Sequence, residues 1–114
     1  MIFELRPSKI HGVGVFAFQK IKKGTLLPLF EKGDSRFIKL DKIKECGLPK
    51  KILYKYSIEF PDGYSTAKSP HRMSVGWYLN HSSKPNAYHD AKYVYYSSRD
   101  IKKDEEIVID YDEL

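Results

Sequence analysis

Only one cysteine, Cys46, stands in these 114 residues. An internal disulfide is therefore excluded, and so is a thiolate zinc site built by one chain. The histidines are His11, His71, His81 and His89, and none of them forms an H-x-x-x-H or H-E-x-x-H pair, so no metal site is expected. No apolar run approaches the ~20 residues of a membrane span. Met1-Ile2-Phe3-Glu4 lacks the basic lead and apolar core of a signal peptide, so an intracellular protein, cytoplasmic or nuclear and without a membrane partner, is expected. Paired catalytic carboxylates, a Ser-His-Asp set and a phosphate loop are missing too.

What is present points to strands. Hydrophobic residues are 41% of the chain, enough for one small globular domain. They lean to Ile, Val, Tyr and Phe, which fit pleated surfaces better than helices. The net charge of +5 is unevenly spread. Residues 1–56 hold 13 Lys/Arg against 5 Asp/Glu, or +8, and residues 57–114 hold 7 against 10, or −3, which sum to +5. A basic half can mark a nucleic-acid surface. Here no basic cluster is interleaved with stacking aromatics, so a solvated lysine-rich exterior is the plainer reading and no nucleic-acid partner is expected.

Along the chain, residues 2–5 and 13–18 alternate like short strands. Lys22-Lys23-Gly24 is a turn into Thr25–Phe30, where Pro28 marks an edge or bulge. A short amphipathic helix is expected between Leu40 and Gly47, with Asp41 as its N-cap and Pro49 just beyond. Tyr54–Phe60 and Tyr64–Ala67 flank Pro61-Asp62-Gly63 and read as a hairpin. Lys92–Ser97 and Glu106–Asp110 are further strands, and unbroken Ile107-Val108-Ile109 predicts cover on both faces of the last one. Ile21-Lys22-Lys23-Gly24 and Ile101-Lys102-Lys103-Asp104 echo each other, though four residues are too few to define a repeat.

Three blocks stand out from this background. Gly12-Val13-Gly14-Val15-Phe16-Ala17 places two glycines one residue apart between strand-like segments, which lets backbone approach a ligand; alone, it is more often a turn or bulge. Asn80-His81-Ser82-Ser83-Lys84-Pro85-Asn86 is by default a polar double turn. Asn80-His81-Ser82 also matches a glycosylation acceptor, which the missing signal peptide sets aside. Trp77-Tyr78-Leu79 just before it argues that the turn lies against the core, where Asn and His need hydrogen-bond partners. Asp104-Glu105-Glu106-Ile107-Val108-Ile109-Asp110-Tyr111 ends a buried strand on a carboxylate and a phenol.

Taken together and in this order, the blocks resemble the signature blocks of the SET-domain protein-lysine methyltransferases, in particular the short viral and bacterial members, over residues 8–111. The resemblance implies a mostly β, β-clip-like SET fold: several short strands in small sheets, a pseudoknot-like C-terminal crossing and little helix. It implies a single SET domain over 1–114, with an N-terminal SET part over about 1–33, a variable insert over about 34–70 and a C-terminal SET part over about 71–114. S-adenosyl-L-methionine is the implied cofactor, with Gly12, Val13, Gly14, Asn80, His81 and Tyr111 around it and Tyr111 catalytic. Tyr56, Tyr78, Tyr88 and His89 are candidates for the wall of a lysine channel, although core packing is the commoner role for each. The implied activity is methyl transfer to a lysine of a protein or peptide substrate. The acidic C-terminal stretch suits a basic peptide. Many family members continue past the tyrosine into a cysteine-rich closing segment, whereas this sequence runs three residues further. A second subunit of a homodimer, or the substrate itself, is expected to complete the wall. The alternative is a SET-fold interaction module with weak or no catalysis.

Overall fold

The computed structural model describes all 114 residues. They form two compact units, one made of residues 1–29 and 78–114, the other of residues 30–77.

In the first unit, β1 (Phe3–Pro7) and β2 (Val13–Ala17) form a hairpin, and β10 (Glu106–Ile109) adds to the free side of β2. The far edge of β10 takes β7 (Asn80–His81) in parallel, giving the sheet order β1-β2-β10-β7. A second sheet is ordered β3-β9-β8, from β3 (Leu26–Leu27), β9 (Tyr95–Ser97) and β8 (Ala87–His89). The expected strand over 25–30 shrinks to two residues, because Pro28 supplies no N–H to continue the ladder. The expected strand over 92–97 starts only at Tyr95, since the Asp90 carboxylate accepts from the amides of Lys92 and Val94 and holds the preceding residues in a turn. The two echoed tetrapeptides meet: Ile21 and Ile101 form an antiparallel bridge, and Gly24 and Asp104 both adopt left-handed backbone, at φ +82° and +69°.

Strand β10 is the hub. Ile107, Val108 and Ile109 are all buried, as the unbroken apolar run predicts. Burial of this kind is worth roughly 1.5–3 kcal/mol per aliphatic side chain, but it needs every backbone polar group paired. Asn86, fully buried, does much of this. Its backbone N–H donates to Val108 O at 3.2 Å. Its Oδ1 accepts from Val108 N at 2.9 Å, and its Nδ2 donates to Glu106 O at 2.8 Å. The side chain thus stands in for a missing strand.

The second unit is built on a sheet ordered β4-β6-β5: β4 (Ser35–Lys39), β6 (Gly63–Ala67) and β5 (Ile58–Phe60), with Phe60 opposite Gly63 across the expected Pro61-Asp62 turn. Its core is Ile38, Leu53 and Tyr64, with Ile43, Cys46 and Leu48 packed against it. Two expectations are corrected here. Residues Leu40–Glu45 form a 3-10 helix whose N-cap is Lys39; Asp41 lies inside the first turn and caps nothing. The Tyr54–Phe60 strand is split, because Lys50–Tyr56 is an α-helix, α1. Tyrosine favours strands on average, but Ile52, Leu53 and Tyr56 fall at helical spacing, and fully buried Leu53 fixes the helix on Ile38 and Tyr64. Extended Ser57 then turns the chain into β5. No helix in either unit is long and apolar enough to cross a membrane.

Replacing Asn86 with Ala leaves the Val108 N–H and the Glu106 carbonyl unpaired in a dry site. The expected loss is about 2–4 kcal/mol of unfolding free energy by denaturant titration. A loss below about 0.5 kcal/mol would remove Asn86 from this role.

Candidate active site

The first corner of the site is the Gly12-Val13-Gly14 entry to β2. Ser8 N donates to Gly12 O at 2.8 Å and closes the loop that precedes it. Gly12 takes φ +46°, a region costly for residues with a Cβ. Gly14 serves a different end: a Cβ there would meet the Glu106 carboxylate, which would have to shift from its present place. The register explains this, since Glu106 stands opposite Phe16 and Gly14 is two residues along the same face of β2.

Asn80 ties this corner to β7. Its Nδ2 donates to His11 O at 3.1 Å, Val13 O at 3.3 Å and Glu106 Oε2 at 2.9 Å. All three partners are acceptors, so the amide has one orientation and Oδ1 faces away from the loop with its acceptor capacity free. Ser8 Oγ donates to both oxygens of Glu106, at 2.7 and 3.0 Å.

Tyr111 begins a 3-10 turn, Tyr111–Glu113, capped by the Asp110 carboxylate on Asp112 N. Its amide donates to His81 Nδ1 at 3.0 Å, which leaves the proton of a neutral His81 ring on Nε2. The two rings lie 5.3 Å apart. The Tyr111 hydroxyl donates to Leu79 O, the carbonyl directly before Asn80. The phenol therefore stands at the Asn80-His81 strand, half-exposed on its outer side. Burial of the hydroxyl, and secondarily the Glu106 charge, push its pKa above the ordinary tyrosine value.

The channel candidates separate. His89 sits near the C-terminal turn, with Nε2 at 2.9 Å from Glu113 O and Nδ1 at 2.8 Å from Asp90 O, stacked on Tyr93 at 4.5 Å. Tyr88 lies on the opposite, solvent-facing side of β8, beside Tyr96 at 5.8 Å. Tyr78 directly precedes the Leu79 carbonyl that holds Tyr111. Tyr56 belongs to the second unit, where it ends α1 with the Lys55 ammonium over its ring. Sequence reasoning missed Ser8, Asn86 and Glu106. For Glu106 a signal existed: a carboxylate entering a buried strand must face inward or outward, and an inward one needs donors.

A family model described as SET domain matches residues 12–112. The chain is a SET-domain protein. The mostly β architecture of small sheets is this family's fold. Among solved structures, this SET domain is similar to a candidate histone methyltransferase of Plasmodium falciparum, with 26% identity, a TM-score of 0.64, and coverage of 96% of this chain and 91% of that one. Comparison with curated proteins finds no match.

The raised pKa of Tyr111 in this SET domain has a definite sign. The folded value exceeds the unfolded one, so its contribution to stability is complete below about pH 10 and is lost as pH rises through the folded value. The difference between ultraviolet phenolate titrations of the wild type and Tyr111→Phe is expected to report a group ionising above pH 10. Ionisation of Tyr111 at or below pH 10 would contradict the burial.

Proposed function

We propose that this protein transfers a methyl group from S-adenosyl-L-methionine to a lysine side chain of a protein substrate. The observation that carries the reading is the convergence of the Gly12–Gly14 corner, the Asn80-His81 strand and the Tyr111 hydroxyl in one hydrogen-bonded constellation. Family membership and the methyltransferase neighbour support the reaction class.

The groups that meet there fit the cofactor. The Asn80 Oδ1 is a fixed, unused acceptor suited to an ammonium, and the Tyr111 oxygen adds electronegative surface at the strand that carries it. Such a surface complements a molecule carrying an ammonium and a sulfonium. Asn80, the Gly12-Val13-Gly14 backbone and His81 would hold it. When bound, the cofactor supplies an electrophilic methyl on a positively charged sulfur.

The remaining work belongs to the chain. A free lysine has a reference pKa of ~10.4, and only its neutral amine has a lone pair for attack. A dry channel disfavours the ammonium form and lowers that value. Tyr111 cannot act as an anion near neutral pH, because its own ionisation is pushed up. Its O–H is donated to Leu79 O, so its lone pairs stay free to accept weak C–H···O contacts from a methyl or to align an amine. Rate enhancement then comes mainly from orientation and a preorganised polar site.

Two measurements test this. Calorimetry with S-adenosylmethionine or its demethylated product is expected to show binding and a thermal upshift; neither heat nor shift would sink the enzyme reading. On a lysine-peptide array, Tyr111→Phe is expected to lower the transfer rate about 10²-fold, with cofactor affinity changed only a few-fold. Unchanged partner capture together with no methylation by the wild type would favour an interaction module instead.

A further inference from the structure

Glu106 has an environment that a surface carboxylate would not need. It faces Gly14, whose missing side chain leaves it room, and it receives only neutral donors, Ser8 Oγ and Asn80 Nδ2. The one guanidinium on neighbouring β1, Arg6, is committed to Glu4 and Asp104 at 2.8 Å each, and no ion pair joins any cation to Glu106. Holding a half-buried, unpaired carboxylate costs free energy. Its effect is on Asn80. The two protons of Nδ2 are drawn toward His11 O, Val13 O and Glu106 Oε2, and of these the charged acceptor is the strongest and the shortest. Without it, the amide rests on two longer contacts to a loop whose own tie to β10 has gone.

We propose that Glu106 is the positioning residue of the cofactor corner. Together with Ser8 it locks Asn80 so that Oδ1 faces the ligand, and it fixes the Gly12–Gly14 loop to β10. This rests on the cofactor reading above and adds a group that does not itself touch the reacting atoms. The amino-acid end of the cofactor is the same in the sulfonium substrate and the thioether product. A positioning defect at this corner therefore weakens both ligands together, whereas loss of a purely electrostatic contact with the sulfonium would weaken only the substrate.

The test compares wild type with Glu106→Ala, Glu106→Gln, Asn80→Ala and the Glu106→Ala/Asn80→Ala double variant, each at a temperature where it is fully folded. Glu106→Ala is expected to weaken S-adenosylmethionine and S-adenosylhomocysteine about equally, on the order of tenfold, with kcat at saturation within a few-fold of wild type. Glu106→Gln, which keeps an acceptor of the same length, is expected to fall between them. The double variant is expected to bind no worse than Asn80→Ala alone, because Glu106 acts through Asn80. Equal affinity of Glu106→Ala and wild type, additive losses in the double variant, or a loss confined to the sulfonium ligand would each overturn the proposal. A cofactor-free readout separates the two readings: the Asn80 side-chain amide protons are expected to exchange slowly with solvent in the wild type and fast in Glu106→Ala. If the wild type binds neither ligand, the function proposed above falls, and the exchange rates still decide whether Glu106 orients Asn80.

Discussion

Strand β10 must sit between two neighbours with which it shares no local sequence, and everything else in the first unit follows from that constraint. Its partners are β2, roughly ninety residues earlier, and β7, joined to it in parallel. Parallel neighbours require a long connection, and residues 82–105 supply it. Two of the three polar groups that Asn86 satisfies belong to Val108, so the start of this connection is fastened to the strand at its end. The apolar run 107–109 provides the burial, but without Asn86 that burial would strand backbone donors and acceptors in a dry interior.

The same strand sets the chemistry. Glu106 projects toward Gly14 and Asn80, while the chain leaving Ile109 delivers Tyr111 to His81 and Leu79. Fixing β10 therefore fixes both ends of the constellation at once. The side chains themselves are ordinary. What gives them a common direction is that an amide ringed by acceptors has only one orientation, and a phenol donating to Leu79 keeps its lone pairs for something else.

Much of this could be read from the residues because its signals are local. Ile107-Val108-Ile109 announces a strand covered on both faces, and Pro61-Asp62-Gly63 announces a hairpin turn, whatever surrounds them. Tyr54–Tyr56 could not be assigned so directly. Their composition favours a strand, and only packing of Leu53 against Ile38 and Tyr64 makes the segment helical. Asn86 looked like a second turn former, since an Asn bonding its own backbone and an Asn bonding a distant strand have the same sequence neighbours. Glu106 was hidden as one of six acidic residues near the C-terminus. Its partners lie 98 and 26 residues away, and no local pattern encodes such a contact.

The parallel seating of β10 also bears on how a newly made chain behaves. During synthesis the β1–β2 hairpin and the whole 30–77 unit can form early, from neighbours already present. Residues 80–86 cannot take their places along β10 until residue 109 has left the ribosome. Until then the apolar face of β2 and the polar groups of β7 wait uncovered, and the chain is most open to capture by chaperones or by another copy of itself. The constellation around Asn80 is thus complete only once Tyr111 has emerged.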